Sequence, residues 1–205
     1  MNELVAPLFS PFSARSLTIA NRTVMAPMGR MFAQNHIPHP DAAAYYRRRA
    51  EGGVGLLITE ATGIDHPLAP DHGGTPVMHG EQALAAWKVI VDEVHRVGGK
   101  IIPQFFHQGM LRGGGAADGT MASMRPSGII GEAGSNSFAP EFIEAAKKPT
   151  PAMTESDIQD MIDGFTRSAK NAQELGFDGV ELHGAHGYII DSGYPEFLVD
   201  KMPKM

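Results

Sequence analysis

The feature that most constrains the fold of this chain is a fourfold alternation of short apolar segments with amphipathic helical segments. The apolar segments predict strands over 22–28, 54–62, 100–107 and from Phe177 onwards. Apolar spacing and end signals predict helices over 42–51 and 81–97, and a third that begins at Thr154 and ends at Gly176. Because no hairpin signal joins neighbouring strands, the pattern favours βα crossovers and a parallel sheet.

Local signals refine this pattern. Asp41 is predicted as the N-cap of the first helix, and Thr154 with Asp157 as a capping pair at the third. Pro103 removes a ladder donor inside the third strand and predicts a bulge or local weakness there. Residues 4–21 predict an irregular entry or hairpin. The third helix is expected to bury an apolar stripe, namely Ile158, Met161, Ile162, Phe165, Ala169, Ala172 and Leu175.

Composition excludes several classes of function. The 205 residues carry a net charge of −6 without a basic block, which argues against nucleic acid or an anionic membrane as partner. The absence of cysteine excludes a disulfide scaffold and thiol catalysis. No apolar run approaches the roughly 20 residues that span a bilayer, and no secretory signal is visible. We therefore expect a cytoplasmic protein.

Titratable side chains follow the fourth predicted strand directly. His183, His186 and Tyr188 lie among Gly184 and Gly187 at the point where the strand ends. This is the arrangement expected at the catalytic mouth of a βα barrel. The glycines leave room for a flat ligand, and the imidazole and phenol donors could converge on one substrate oxygen.

Each of these residues also has a simpler interpretation. The two histidines could be hydrogen-bonded structural residues, or could share a metal ion, although no third ligand stands at an obvious spacing. Tyr188 could pack with its hydroxyl in water. Gln104 is different, because an amide in an apolar strand needs a partner. His107 and Glu60 fit a structural role as well as a functional one.

Several motifs in register resemble the old yellow enzyme family of FMN-dependent ene-reductases, also called NADH:flavin oxidoreductases. They are Ala26-Pro27-Met28, Glu60-Ala61-Thr62, Gln104 with His107, and His183-Gly-Ala-His186-Gly-Tyr188, each near the end of a predicted strand. The resemblance runs from about Leu8 to Asp191. It implies an α/β fold of the TIM (βα)8 type, of which this chain holds about four βα units. We accordingly divide the chain into the N-terminal half of an FMN-binding barrel, 1–191, and a divergent tail, 192–205.

The resemblance also implies roles for individual residues. Pro27, Met28, Gly29, Ala61, Gln104 and His183 would contact FMN, with Gln104 at the pyrimidine edge of its ring system. His183 and His186 would bind the activating oxygen of an enone or nitro compound, and Tyr188 would protonate the carbon next to it. NADH or NADPH would reduce the flavin, whose N5 delivers hydride. Gly29 stands where the family often has Thr or Cys, so a hydrogen bond to the flavin is absent.

The end of the chain raises other expectations. The resemblance places an arginine near the flavin and the phosphate-binding loops beyond residue 191, so we expect a truncated half-barrel with weak FMN affinity and doubtful turnover. Open strand edges would favour self-association. Three alternatives remain at this point: a redox-inactive half-barrel serving as an assembly module, a flavin-independent lyase or isomerase, and a non-functional fragment.

Overall fold

Four parallel strands form the central sheet, in chain order. The computed structural model describes residues 3–70, 72–112, 123–129 and 149–192. The strands are β3 (Val24–Met25), β4 (Leu56–Gly63), β5 (Ile101–Phe106) and β6 (Glu181–Leu182), and each pairs only with its neighbours in that order. Helices α1 (Asp41–Glu51), α2 (Glu81–Arg96) and α3 (Glu155–Leu175) lie between successive strands. The predicted parallel βα order is confirmed, although β3 and β6 are shorter than predicted.

An N-terminal hairpin covers one end of the sheet. A short 3₁₀ helix (Ala6–Phe9) precedes β1 (Phe12–Ala14) and β2 (Leu17–Ile19), which pair antiparallel as the sequence predicted. Ile19 packs with Leu56, Ile58 and Ile102, which lie near the amino ends of β4 and β5. The hairpin therefore leaves the carboxyl ends of the strands accessible.

The main core lies between the other face of the sheet and the helices. Its largest fully buried members include Trp87, Tyr46, Phe105 and Leu57. Trp87 also donates its indole N–H to the carbonyl of Val77 (3.0 Å), which ties α2 to the loop after β4. Among the described residues, no helix has the length and apolar character needed to cross a bilayer.

Helix α3 packs through smaller residues than predicted. Gly164, Ser168 and Ala172 are its buried residues, whereas Ile162 is 47% exposed. Ser168 Oγ accepts the backbone N–H of Asp65 at 2.8 Å, and a Cβ at Gly164 would lie 2.8 Å from the Asp65 carbonyl oxygen. This close approach leaves the larger apolar side chains at the margin, where Met161, Phe165, Ala169 and Leu175 are partly buried.

The helix ends agree with the sequence in one case and differ in another. The predicted pair Thr154 and Asp157 forms a capping box at α3, with each side chain accepting the other's backbone N–H. The assignment of Asp41 as N-cap of α1 was wrong, because Asp41 is the first helical residue and Pro40 is the cap. The helix begins earlier because His39 accepts the N–H of Asp41 with its ring and that of Ala42 with its carbonyl.

The irregularity predicted at Pro103 lies in the neighbouring strand. The pairing between β4 and β5 shifts between Ile58 and Ala61, opposite the proline. Within the shift, Thr59 Oγ1 accepts the N–H of Gln104 (3.3 Å), and the N–H of Glu60 donates to the Tyr46 hydroxyl (3.0 Å). Pro103 has no N–H to donate to β4, and the bulge places the irregular part of β4 opposite it. The neighbouring N–H groups of Gln104 and Glu60 then find side-chain acceptors.

Candidate active site

A cleft of about 500 Å³ opens at the carboxyl ends of the four strands. Seven of the eight predicted site residues line it, namely Pro27, Gly29, Ala61, Gln104, His183, His186 and Tyr188. Met28 does not line the cleft, and its side chain is 49% exposed. The parallel sheet therefore brings together residues that lie up to 161 positions apart in the chain, from Pro27 to Tyr188.

One row of paired residues crosses the sheet, and two of its three members, Ala61 and Gln104, line the cleft. Ala61 of β4 pairs in register with Gln104 of β5, which in turn pairs with Glu181 of β6. Gln104 Nε2 donates a hydrogen bond of 2.6 Å to Glu181 Oε1. Because side chains alternate along a strand, His183 follows Glu181 on the same face. The partner that the Gln104 amide was expected to need is thus at least partly supplied by Glu181.

The loop after β6 holds the three candidate catalytic residues together. His186 Nδ1 lies 3.3 Å from His183 Nε2, and the rings of His183 and Tyr188 are 4.7 Å apart. The ring of Phe106 meets Tyr188 edge to face at 5.3 Å. His186 has a left-handed backbone (φ 61°), a conformation that non-glycine residues adopt at a cost and that often occurs at functional sites.

The environment of His183 favours the neutral imidazole. Burial lowers its pKa, and the neighbouring His186 lowers it further, while the carboxylates of Glu181 and Asp191 oppose the shift. A neutral imidazole carries one N–H donor and one acceptor. His183 can therefore donate a hydrogen bond to an anionic or carbonyl oxygen without bringing a full positive charge into the cleft.

Glu60 also lines the cleft, but its carboxylate is already paired. It accepts from the guanidinium and the backbone N–H of Arg30, which lies over the rings of Tyr45 and Tyr46. Glu60 is 5% exposed, and burial raises the pKa of Tyr46 above its usual range. Because its charge is balanced by Arg30, we interpret Glu60 as a structural part of the cleft wall.

His107 is fully buried and does not line the cleft. Its Nδ1 accepts the backbone N–H of Gly109 (2.9 Å), so its proton is on Nε2, which donates to His66 Nδ1 at 2.9 Å. His66 Nδ1 accepts the N–H of Leu68 as well, at 3.2 Å. Burial lowers the pKa of His107 to about 3 and also lowers that of His66. The two neutral rings join the turns that follow β4 and β5.

Sequence reasoning missed other residues of the cleft wall. Met31, Thr75, Pro76, Phe106 and Gln108 line it. Phe106 and Gln108 could have been found from their place at the end of β5. Thr75 and Pro76 gave no local signal, because a parallel bridge between Gly63 and Val77 brings their distant loop to the sheet. Within the described ranges, no group of three or more His, Asp or Glu residues could hold a metal ion.

Comparison with known proteins places this geometry in a family. Residues 7–202 match the model of the NADH:flavin oxidoreductase / NADH oxidase family. Putative 12-oxophytodienoate reductase 2 of Oryza sativa subsp. japonica is 37% identical over 186 residues, which are 90% of this chain and 47% of that protein. Old Yellow Enzyme from a Pichia species superimposes with a TM-score of 0.76 at 32% identity, over 90% of this chain and 47% of that chain.

A second solved structure agrees, and both show how much of the fold is present. Morphinone reductase matches with a TM-score of 0.75 at 28% identity, over 89% of this chain and 49% of its own. The chain spans about half the length of the curated relatives it matches. Its four βα units correspond to part of the TIM barrel of these neighbours.

The family match extends beyond residue 191, so the predicted boundary there stays a prediction. Residues 193–205 lie outside the described ranges. On the match over 7–202, this chain belongs to the NADH:flavin oxidoreductase / NADH oxidase family.

Proposed function

We propose that this chain forms the flavin-binding and substrate-binding cleft of an FMN-dependent NAD(P)H oxidoreductase that reduces activated alkenes. The observation that carries the proposal is the convergence of Gln104, His183, His186 and Tyr188 in one cleft at the carboxyl ends of a parallel sheet. Family membership supports it. A solved morphinone reductase contains tetrahydroNAD, which supports a nicotinamide as the reductant.

The residues of the cleft fit an isoalloxazine ring. A Cβ built on Gly29 would meet no atom within 4 Å, so open space lies beside this backbone. Across the cleft, the Gln104 amide offers an acceptor and a second donor that have no partner among the described residues. Such a pair complements the alternating carbonyl and N–H groups of a flavin pyrimidine edge. Pro27 and Ala61 supply apolar wall for the ring.

The remaining side chains would act on the alkene. Bound FMN would supply the hydride for the β-carbon, with NADH or NADPH as the source of its electrons. His183 and His186 hold the activating oxygen, where negative charge develops, with N–H donors fixed before the reaction. Tyr188 gives its phenolic proton to the α-carbon, so the product gains one hydride and one proton. The proximity of the three side chains allows all of these contacts on one small substrate.

The experiment combines FMN binding with turnover. The chain is incubated with FMN, separated from free flavin by gel filtration and examined by visible spectroscopy. Anaerobic reduction by NADH and by NADPH is followed next, and then consumption of an enone. Tyr188→Phe should retain yellow colour and flavin reduction but lose at least about tenfold in enone reduction, because the proton donor is gone. Tyr45→Phe, outside the cleft, is the matched control.

Other results would overturn the proposal. A chain that stays colourless at saturating FMN and still interconverts an unsaturated substrate would indicate a flavin-independent lyase or isomerase. A yellow chain whose enone reduction is unchanged in Tyr188→Phe and His183→Ala would exclude the roles proposed for these side chains.

We also propose that small molecules are its ligands, that the cytoplasm is its compartment, and that copies of the chain associate. Val180 and Leu182 support self-association, because these apolar side chains of the edge strand region are 42% and 55% exposed. Apolar side chains on an open sheet edge favour contact with another chain. Acidic net charge without a basic block supports the absence of a nucleic-acid partner.

A further inference from the structure

Glu181 is a carboxylate next to Gln104, a residue of the cleft wall, and no role proposed above uses it. It stands in register beside Gln104 on the neighbouring strand, and two positions before His183 on the same face. Its side chain accepts the 2.6 Å hydrogen bond from Gln104 Nε2. Gln104 itself is only 7% exposed and Glu181 is half-buried, so the contact is partly shielded from water.

We propose that Glu181 is a positioning residue for the flavin site: its carboxylate fixes the orientation of the Gln104 amide, so that Oε1 of the amide is the atom offered to a ring N–H. The inference rests on the proposed function and specifies how that site selects the edge of its cofactor.

The side chains of Glu181 and Gln104 differ in what they can offer each other. An ionised carboxylate can only accept hydrogen bonds, whereas a glutamine amide has a donor end and an acceptor end. The Gln104 amide must therefore turn its nitrogen towards Glu181. A rotation by 180° would set Oε1 against the carboxylate and lose a charge-assisted hydrogen bond. Glu181 thus removes the ambiguity between the two amide orientations.

The position of Gln104 in the sheet makes this control effective. The backbone N–H of Gln104 is held by Thr59 Oγ1, and its Cα lies between Ala61 and Glu181 in the register row. With the backbone fixed, the remaining freedom is in the side chain. A glutamine side chain loses substantial rotamer entropy when it is ordered, so ordering it before the ligand arrives improves affinity.

Glu181 has a second effect that can be separated from the first. Its charge raises the pKa of His183, against the lowering by burial and by His186. Glu181→Gln and Glu181→Ala both remove this charge, and both should lower the pKa of His183 similarly. The two variants differ in the hydrogen bond, since glutamine at 181 can still accept from Gln104 in one of two arrangements. An effect of the lost charge should therefore be equal in the two variants, whereas an effect of the lost hydrogen bond should be larger in Glu181→Ala than in Glu181→Gln.

The first test needs no flavin. In the ¹H–¹⁵N spectrum of the flavin-free chain, the side-chain amide signals of Gln104 should move in Glu181→Ala, and less in Glu181→Gln. Titration of the His183 ring in the same samples measures the charge effect, which should be equal in the two variants. Gln104 amide signals that coincide in wild type and Glu181→Ala would overturn the proposal.

The second test measures binding of FMN, riboflavin and 3-methylriboflavin, whose ring N–H is blocked. Glu181→Gln should weaken FMN and riboflavin binding about twofold, because about half of the amides then point the wrong way. Glu181→Ala should weaken it roughly tenfold, since the side chain samples several rotamers. Wild type should prefer riboflavin to 3-methylriboflavin, and Glu181→Ala should lose most of that preference.

Matched controls are Glu174→Gln and Glu174→Ala, at a 65% exposed carboxylate on α3 that lies 3.8 Å from the Lys170 ammonium. These should leave both measurements unchanged. Equal flavin affinity and equal discrimination in wild type and Glu181→Ala would overturn the proposal. Absence of any FMN binding by wild type would contradict the proposed function and with it the flavin assignment, while the amide signals still decide whether Glu181 orients Gln104.

Discussion

At the scale of single residues, the buried charged groups Arg30 and Glu60 in and beside the wall of the cleft are paired with each other. Arg30 and Glu60 form an ion pair with 14% and 5% side-chain exposure, supported by the backbone N–H of Arg30. Removing one partner of a buried pair leaves the other charge without compensation, which costs far more than the pair itself contributes. Exposed pairs behave differently, because water already solvates both charges.

Arg30→Met should therefore destabilise the chain strongly. We expect the free energy of unfolding to fall by roughly 3 kcal/mol, as for other broken buried pairs. Urea unfolding followed by Trp87 fluorescence measures it. Lys88→Met is the matched control, because Lys88 and Asp92 are an exposed i,i+4 pair, and it should change stability by less than about 0.5 kcal/mol. Equal effects of the two substitutions would contradict this reasoning.

The neutral pair His66 and His107 predicts a pH dependence of stability. The pKa of His107 is lowered to about 3 by burial, with smaller contributions from His66 and Arg112, and burial lowers that of His66 against the pull of Asp160. An unfolded histidine titrates near 6.5, so between these values the unfolded chain binds more protons. Stability should be complete above about pH 6.5 and fall below it, by up to about 1.4 kcal/mol per pH unit for each proton.

Unfolding measured from pH 4 to 8 in wild type and in His107→Asn checks this dependence. The variant should be less stable at pH 7, because its packing and hydrogen bonds change, but should lose less stability on acidification. Parallel pH curves for the two proteins would show that the buried ring does not control the slope.

At the scale of elements, α3 shows how local chemistry and tertiary contact share control of a helix. Its first residue is set by the capping box of Thr154 and Asp157, and its end by Gly176 in a left-handed conformation (φ 89°). Both were evident in the sequence, because capping depends on neighbours in the chain. The buried face was not, because it depends on the close approach of Gly164 and Ser168 to Asp65.

Thr154→Ala should lower the free energy of unfolding by about 1 kcal/mol, since it leaves the backbone N–H of Asp157 without its side-chain acceptor. Ser156→Ala, two residues later and exposed, is the control and should be neutral within about 0.5 kcal/mol. Urea unfolding gives both values. A neutral Thr154→Ala would mean that water replaces the cap without loss.

At the scale of the whole molecule, the sheet has one end covered by the hairpin, and its two edge strands pair with no further strand among the described residues. The hairpin of β1 and β2 packs at the amino ends, and the cleft occupies the carboxyl ends. Strands β3 and β6 are the two edges of the sheet, and each edge has exposed apolar side chains. Val24 lies at the β3 edge, and Val180 and Leu182 lie at the β6 edge.

If copies associate through the β6 edge, Leu182→Lys should shift the chain towards monomer, because a charge there opposes burial in an interface. Sedimentation velocity at micromolar concentration measures the distribution. Ile162→Lys, at a similarly exposed apolar position on α3, should leave the distribution unchanged. A wild-type chain that is monomeric throughout would contradict self-association.

The sequence by itself determined the parallel βα order and both ends of α3, and its resemblance to a family predicted seven residues that the cleft brings together. The strand order follows from apolar periodicity, and the ends of α3 follow from capping residues within one turn of the chain. The site residues were predicted from motifs shared with the family. The tertiary structure alone decided three contacts: the register that sets Glu181 beside Gln104, the burial of His107 against His66, and the location of the bulge in β4 instead of at Pro103. Such contacts depend on the register and spacing of segments far apart in the chain, which no local pattern of side chains encodes.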